Sequence, residues 1–242
     1  MTGQENMDFD IQLAKNCKDG ETYFRLYRWA PYCISIGANQ SHELINAEKI
    51  IHDNIDLVTR PTGGRAILHS EELTYSVVMK TDSVATPQKI YKEINNALLS
   101  GLGIYDSKLA NADLEKNQPD FLKIYQNENP FACFSTSAKS EIKYSSKKLI
   151  GSAQRKLGNT VLQHGSILCG SYHHNIVNYL NISSSEKFSL AEELMEKTIE
   201  IESILKTSVD YSKLIISLKS GFEKYFETKF YDLKIENKKE LV

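Results

Sequence analysis

The sequence predicts a mixed α+β fold, in which β-sheets are flanked by helices. The clearest strand signal is the segment 73–80, where apolar and polar residues alternate with a period of two. A helical signal follows at 86–103, where apolar residues recur every three or four positions. Strand-like runs then occur within 119–169, and the residues after 170 have mainly helical spacing. We therefore expect an α+β core with a helical C-terminal portion, 170–242.

Residues 1–60 are predicted to begin the fold with alternating helices and strands. In chain order, the patterns give a helix at 7–18, strands at 21–29 and 32–37, a helix at 41–54 and a strand at 55–60. Ser41 can cap the second helix, because its side-chain oxygen can accept a hydrogen bond from a backbone N–H of the first turn.

Individual residues support the predicted strand at 73–80 and the helix that follows it. One side of the strand is apolar and consists of Leu73, Tyr75, Val77 and Met79. The other side is mostly polar and consists of Thr74, Ser76 and Lys80. In the following helix, Thr86 can be the N-cap and Pro87 fits the first turn.

The second half of the chain changes from strand-like to helical patterns. Strand-like runs lie at 121–125, 140–145, 148–154 and 160–168. Further on, Ser189 and Glu192 have the spacing of a capping box, and 211–226 has helical apolar spacing. No repeat, low-complexity tract or linker divides the sequence, so we expect a single domain over 1–242.

The composition is that of an ordinary globular protein and excludes several classes. Lys and Arg total 29 against 31 Asp and Glu, whereas a nucleic-acid-binding protein usually has a basic excess. The N-terminus has no basic start followed by an apolar run, and no stretch has the length and hydrophobicity of a membrane span. We expect a cytoplasmic protein that binds neither nucleic acid nor membrane.

The cysteines do not predict a metal site. Cys17, Cys33, Cys133 and Cys169 are widely spaced and contain no C-x-x-C pair. Cys169 lies close in sequence to two histidines, at 173 and 174, but a fourth ligand is missing from this group. The expectation is four reduced thiols and no bound metal.

A glycine-containing loop between predicted strands is the first candidate binding element. It reads Arg-Pro-Thr-Gly-Gly-Arg at 60–65. Gly63 and Gly64 allow backbone angles closed to other residues and leave room for a ligand against the main chain. The loop is neither a P-loop nor a dinucleotide-binding motif. The alternative is an ordinary β-turn with an exposed arginine.

A second segment strengthens the binding interpretation. Between 147 and 168, Lys148 stands three residues before the small residues Gly151-Ser152-Ala153. Further along, His164 and Gly165 form another polar break between apolar runs. Several strand-associated breaks with glycine and a cation suggest a grip on a linear ligand with a polar head.

Together these motifs resemble the lipoate–protein ligase and octanoyltransferase family, which is related to the biotin protein ligases. The resemblance is carried by the segments 60–77, 147–155 and 162–168, with weaker support from 6–10 and 25–40. It implies a ligase-type catalytic domain with mixed β-sheets and an apolar tunnel for the acyl chain. It also implies a product in which an eight-carbon acyl group forms an amide with a lysine of a lipoyl carrier domain.

The resemblance also assigns the residues that contact the substrate. These are Arg60, Thr62, Gly63, Gly64, Arg65, His69, Gly151, Ser152, Ala153, His164 and Gly165. We expect the two histidines of this set to shape the pocket by hydrogen bonding and not to act as bases.

Within the family, Cys133 indicates the transferase branch. It stands in Pro-Phe-Ala-Cys-Phe at 130–134, where the cysteine-dependent octanoyltransferases have their nucleophile. A thioester donor is already activated, and a cysteine divides the transfer into two easier acyl exchanges. Cys133 is therefore the predicted nucleophile and Lys148 its catalytic partner, with acyl carrier protein as donor and no cofactor.

Two other functions remain open at this point. The first is an ATP-dependent lipoate ligase, which would need Mg²⁺ and would use Lys148 to contact the adenylate. The second is a non-catalytic protein that binds lipoyl domains. In each case the partner is a lipoyl-domain protein, either the glycine cleavage H protein or a 2-oxoacid dehydrogenase E2.

Overall fold

Two β-sheets form the framework of the computed structural model, which describes residues 1–81, 85–115 and 140–233. Their strands are β1 (Thr22–Tyr27), β2 (Cys33–Ile36), β3 (Asp56–Thr59), β4 (Ile67–His69), β5 (Glu72–Lys80), β6 (Asp113–Leu114), β7 (Ile142–Tyr144), β8 (Lys147–Leu157) and β9 (Thr160–Leu168). Among these residues, the larger sheet has the order β1-β5-β9-β8-β7-β6 and every neighbouring pair is antiparallel. The smaller sheet has the order β3-β2-β4, in which β2 is parallel to β3 and antiparallel to β4.

The long strands β5, β8 and β9 form the centre of the larger sheet. β8 and β9 are joined by the two residues Gly158 and Asn159, and Gly158 has a φ of +60°. Two-residue hairpin loops need positive φ angles, so glycine is favoured at this position. β5 then pairs with β9 along its full length, from Glu72 opposite Leu168 to Lys80 opposite Thr160.

Helices cover both faces of the larger sheet. The α-helices of the described residues are α1 (Gly3–Asn16), α2 (Ala47–His52), α3 (Pro87–Tyr105), α4 (Ser184–Lys197), α5 (Ile201–Leu205) and α6 (Tyr211–Tyr225), and 3₁₀ segments span His42–Leu44, Ser107–Asn111 and Ser171–Tyr179. The apolar residues of α3 and α6 form the main core with one face of the sheet. On the other face, Leu13 and Ala14 of α1 pack with Val78 and Leu162.

The smaller sheet has its own apolar cluster. Ile34, Ile36 and Leu68 from its strands are buried against Ile176 of the third 3₁₀ segment and Leu194 of α4. The polar space between the two sheets and α1 is where the candidate site lies.

Most predicted elements are confirmed, and the differences have local causes. The first helix begins at Gly3 and not at 7, because Thr2 and Glu5 form a capping box ahead of the predicted start. The predicted helix at 41–54 is divided into a 3₁₀ turn and α2, with Ile45 and Asn46 between them. Ser41 caps the 3₁₀ turn, as its oxygen accepts from the N–H of Glu43.

Two further predictions need correction or lie outside the described residues. The capping box at Ser189 and Glu192 is wrong, because α4 begins earlier with a capping box of Ser183 and Glu186. The short strand β4 had no separate prediction. The strand-like run at 121–125 lies outside the residues that the structure describes.

In the described part of the chain, every helix is too short or too polar to cross a membrane.

Candidate active site

A cavity lined by both sheets and by α1 contains most of the residues that the sequence selected. Its empty space is about 470 Å³, part of which is open to solvent. The predicted residues in its lining are Arg60, His69, Lys148, Gly151, Ser152, Ala153, His164 and Gly165. The fold therefore brings the glycine segments of 60–65 and 147–168 to one place, although they are far apart in sequence.

The remaining predicted residues are not in this lining. Thr62 lies behind it, with its Oγ1 2.6 Å from Nε2 of His164. Gly63, Gly64 and Arg65 belong to the supporting loop, and Gly64 has a φ of +98°, which favours glycine. Cys133 lies outside the residues that the structure describes.

The two arginines of the loop are buried, with exposed fractions of 3% for Arg60 and 6% for Arg65. The Arg60 guanidinium donates to the carbonyl oxygens of Ser35 at 2.9 Å, Gly63 at 2.9 Å and Arg65 at 2.7 Å. It thus ties the loop to β2 and to itself. The alternative of a turn with an exposed arginine is therefore wrong.

Lys148 is almost completely buried in the cavity wall and forms an ion pair. Its Nζ lies 3.1 Å from Oε2 of Glu141, and the two side chains are 2% and 5% exposed. Lys148 is therefore not a solvated surface lysine. Glu141 was not selected from the sequence, because a single glutamate within the short strand-like run at 140–145 has no distinguishing pattern.

A register shift between β7 and β8 occurs beside this lysine. Ile142 pairs with Ile150, but Lys143 pairs with Lys148, so Leu149 is an extra residue on β8. Such a bulge changes the local twist and redirects neighbouring side chains, and bulges are common next to active sites. The irregular pairing explains how the charged Lys148 and the small residues after it line one cavity.

Hydrogen bonds hold the small residues of β8 in place. The backbone N–H of Ser152 donates to Oε1 of Glu141 at 3.2 Å, so this amide is already used. The Ser152 hydroxyl accepts from Tyr75, and the Tyr75 hydroxyl accepts from Gln163. At Gly165, an added Cβ would lie 2.3 Å from the carbonyl oxygen of Gly151, so close strand packing alone requires glycine.

A second carboxylate network surrounds His69. Its Nδ1 lies 2.8 Å from Oε1 of Glu72, and its Nε2 lies 2.7 Å from Oγ of Ser35. The ring is stacked on Trp29, with 4.2 Å between centroids. These contacts fix the imidazole on both edges and on one face, which gives it a defined orientation towards the cavity.

A third network connects His164 to α1. Its Nδ1 faces Oδ2 of Asp10 at 3.8 Å, while its Nε2 contacts Thr62. Burial raises the pKa of Asp10, but hydrogen bonding to His164 and the Arg25 charge together lower this pKa below its usual value. Burial lowers the pKa of His164, so its imidazole is neutral near pH 7. Asp10 belongs to the segment 6–10 that gave weaker support to the resemblance.

The described cysteines do not offer a reactive thiol. Cys17, Cys33 and Cys169 are buried, and they are not in the cavity lining. Burial raises the pKa of all three, to about 12 for Cys169. Since the thiolate is the nucleophile, these residues are unreactive near neutral pH.

Chemically, the cavity combines a cation, fixed imidazoles and a narrow space bounded by small residues. The Lys148 ammonium group can stabilise a developing negative charge or exchange a proton. The described residues alone do not complete a nucleophilic site, because their thiols lie elsewhere.

Comparison with known proteins identifies relatives over nearly the whole chain. The sequence model of the lipoyl protein ligase A/B catalytic domain matches residues 2–223. The octanoyltransferase LipM of Lysinibacillus sphaericus is 31% identical over 229 residues, which are 90% of this chain and 81% of that protein. LipM of Clostridioides difficile is 31% identical over 240 residues, with 95% and 85% of the two chains covered.

Solved structures show the same fold. A bi-partite lipoate protein ligase from Thermoplasma acidophilum, described with its E2 lipoyl domain, has a TM-score of 0.77 and 18% identity and covers 98% of this chain and 85% of its own. A lipoate-protein ligase A bound with ATP has a TM-score of 0.75 and 20% identity, with 98% and 87% covered. The α+β prediction is confirmed.

Proposed function

The chain belongs to the lipoyl protein ligase A/B catalytic domain family, and from this premise we propose that it is an octanoyltransferase of lipoate biosynthesis. It moves an octanoyl group from acyl carrier protein to a lysine of a lipoyl-domain protein, either the glycine cleavage H protein or an E2 subunit. The observation that carries the proposal is the buried Lys148–Glu141 pair in a cavity formed by both glycine segments.

The cavity is suitable for a small acyl group. Its empty space of about 470 Å³ includes space that is open to solvent, and both sheets and α1 contribute to its concave wall. Small residues at 151 and 153 leave room beside the main chain, and buried apolar residues such as Ile67 contribute to the wall. An acyl chain in this space would be shielded from water, with its carbonyl group towards Lys148.

Cys133 is the nucleophile in this proposal. By resemblance, it matches the nucleophile of the cysteine-dependent octanoyltransferases. The described thiols, in contrast, are buried and have raised pKa values. Ser140 follows Cys133 by seven positions and directly precedes Glu141, the partner of Lys148. Seven residues can span at most roughly 25 Å, so the chain length permits the thiol to reach the cavity.

The reaction then has two balanced steps. The Cys133 thiolate attacks the thioester carbonyl carbon, the C–S bond to acyl carrier protein breaks, and the departing thiolate takes a proton from Lys148. The acceptor amine next attacks the S-octanoyl group. Its C–N bond forms as the C–S bond to Cys133 breaks, and neutral Lys148 takes the surplus proton. Neither ATP nor Mg²⁺ takes part.

Mass spectrometry of the acceptor tests the proposal directly. Octanoyl–acyl carrier protein, a lipoyl-domain protein and the enzyme are mixed without ATP, and we expect the acceptor to gain one octanoyl group. Cys133→Ala should abolish the transfer, because the covalent relay is lost. Cys17→Ala also removes one thiol and should keep activity, since Cys17 is buried away from the cavity.

The outcomes separate the three functions. Transfer that requires ATP and free acid would indicate a ligase, and no transfer with either donor would indicate a binding protein. Wild-type turnover by folded Cys133→Ala would contradict the nucleophile assignment. With the second substrate omitted, accumulation of an S-octanoyl enzyme that is absent in Cys133→Ala would support it.

A further inference from the structure

Behind the wall that carries Lys148, the structure contains a second cluster of side chains able to bind a metal. It consists of His173 and His174 in the third 3₁₀ segment and Glu200, which follows α4. Their ligand atoms all lie within 4.8 Å of one another. Cys169, which the sequence grouped with these histidines, donates its thiol proton to Ile167 and does not belong to the cluster.

The distances within the cluster are close to those of a metal site. Oε1 of Glu200 lies 3.7 Å from Nε2 of His173 and 3.5 Å from Nε2 of His174. Neighbouring N and O ligands of a tetrahedral zinc ion, each about 2.0–2.1 Å from the metal, are roughly 3.3 Å apart. A contraction of a few tenths of an ångström would therefore bring both of these contacts to the separation of zinc ligands.

The contact made by Nδ1 of His173 determines which ring nitrogen carries the proton. Nδ1 lies 3.2 Å from the carbonyl oxygen of Gly170, which can only accept, so Nδ1 carries the proton. Nε2 therefore presents a lone pair to the cluster. A carbonyl that accepts from the far ring nitrogen is the usual outer support of a metal-binding histidine.

Glu200 provides an independent indication. The residue is 5% exposed, and its Oε1 makes no hydrogen bond within the described structure. Its other oxygen accepts from Ser203 at 2.7 Å. A buried carboxylate oxygen without a donor is costly, and this one points to the two imidazoles.

Thr198 does not supply the missing proton. Its hydroxyl donates to the carbonyl oxygen of Leu194 at 2.6 Å, so its lone pairs face Nε2 of His173 at 3.2 Å and of His174 at 2.9 Å. The lone pairs of His173 Nε2, the Thr198 hydroxyl and the Glu200 carboxylate thus converge on one small space, and Nε2 of His174 joins them when the proton of its ring is on Nδ1. A cation would satisfy all of them.

We propose that His173, His174 and Glu200 bind a zinc ion, with a water molecule as the fourth ligand. Two imidazoles and one carboxylate are a ligand set that Zn²⁺ uses in proteins. His174 has a side-chain exposure of 21%, which provides a route for the ion and room for the water. Lys147, whose charge acts on His174, directs its ammonium group to the carbonyl oxygen of Met195.

The ion has a structural role at this position. It would connect the third 3₁₀ segment to the backbone at 198–200, and the N–H of Ile199 donates to the carbonyl oxygen of Lys148 at 3.0 Å. The zinc ion would therefore fasten the strand that carries Lys148 from behind, without contact with the acyl group.

Metal titration of chelator-treated protein tests the site without any activity measurement. Co²⁺ serves as the spectroscopic probe and Zn²⁺ as the competitor, in a Cys133→Ser background that removes the thiol outside the described residues. We expect one Co²⁺ per chain, a visible spectrum of tetrahedral type without thiolate charge-transfer bands, and displacement by Zn²⁺. Zn²⁺ should also raise the unfolding temperature, because it binds the folded state.

Matched variants separate this site from adventitious binding. Glu200→Gln and His174→Gln should each weaken Co²⁺ binding at least about tenfold. His52→Gln is the control, since His52 is an exposed histidine that contacts the Asp53 carboxylate, and it should bind as the wild type does. Circular dichroism without metal establishes that each variant is folded. If Glu200→Gln unfolds, the more exposed His174→Gln decides the question. Absence of binding in the wild type, or equal binding in the folded variants, would overturn the proposal.

Discussion

Lys148 is a charged side chain that folding removes almost completely from water. Moving an ion into the interior has an effective cost of several kcal/mol, which its partner offsets only with good geometry. Glu141 provides a contact at 3.1 Å, and its other oxygen is held by the N–H of Ser152. Two apolar residues would fill the same volume without this desolvation cost. We therefore expect the pair to be needed for the reaction more than for stability.

A double-mutant cycle tests this expectation. Lys148→Met should reduce kcat by about 10²–10³, as for removal of a transition-state hydrogen-bond donor, and should destabilise the fold by about 3–5 kcal/mol because Glu141 loses its ammonium partner. Adding Glu141→Gln should recover much of the stability without recovering activity. Urea unfolding and single-turnover kinetics on the same samples provide both readouts. Recovery of activity in the double variant would show that Lys148 is only structural.

Of the Lys148–Glu141 pair, only Lys148 was predicted from the sequence. Lys148 could be selected because it stands at a fixed spacing before Gly151-Ser152-Ala153, whereas Glu141 has no such neighbours. The same is true of Glu200, which meets His173 only after α4 turns the chain back. A partner that is brought near by folding leaves no spacing signal in the sequence.

The helices α3 and α6 cross with their closest approach at two glycines, Gly101 and Gly221. A Cβ added to Gly221 would lie 2.2 Å from the backbone nitrogen of Gly101, and one added to Gly101 would lie 2.7 Å from Cα of Leu218. These contacts are with backbone atoms, which cannot rotate away. The crossing lies in the main core beside Leu98, Leu102 and Leu218, so its geometry determines how α6 covers the larger sheet.

Alanine at this crossing should be strongly destabilising. Gly221→Ala forces the two helices apart, and we expect a loss of at least about 1–3 kcal/mol in the free energy of unfolding. Gly103→Ala is the matched control in α3, because its Cβ would meet only Ala110 at 3.5 Å. It should stabilise the helix by about 0.5–1 kcal/mol. Urea titrations of both variants measure the difference, and a Gly221→Ala variant as stable as the control would contradict the close approach.

The elements were largely predictable because their patterns are local. The strand at 160–168 has the bounds that its alternation indicated, and α3 begins after Thr86 as expected. The start of α4 was wrong because 183–186 and 189–192 both have a Ser-x-x-Glu pattern. The upstream box prevails since it adds more than a turn of helix hydrogen bonds before the buried Leu190. Local sequence alone does not rank two valid caps.

For the whole molecule, the unusual feature is a polar layer between the sheets and α1. Asp10, Glu72, His69 and His164 are all buried there, and the strand face that alternation predicted to be polar is covered as well. Burial of both faces of β5 explains why Thr74 and Ser76 have side-chain partners and do not meet solvent. Stability should therefore depend on the protonation of this layer.

The sign of that dependence follows from His164. Its folded pKa is lowered from 6.5 by burial, and its ring faces Asp10 and Thr62, with the Arg60 charge and the His69 ring nearby. Below pH 6.5, His164 binds a proton in the unfolded chain but not in the folded chain. The free energy of unfolding therefore falls as the pH decreases towards the folded pKa. Asp10, whose folded pKa lies below 3.8, contributes stability that is lost only at more acidic pH.

The free energy of unfolding should accordingly decrease between about pH 7.5 and pH 5.5, with at most about 1.4 kcal/mol per pH unit from each such histidine. His164→Gln removes one titrating group while keeping a polar side chain of similar reach, so its decrease should be shallower. Urea unfolding across this pH range is the measurement, with a chelator present so that loss of metal from His173 and His174 does not contribute. A variant slope equal to that of the wild type would mean that His164 accepts its proton in the folded state, and the polar layer would then have to be open to water.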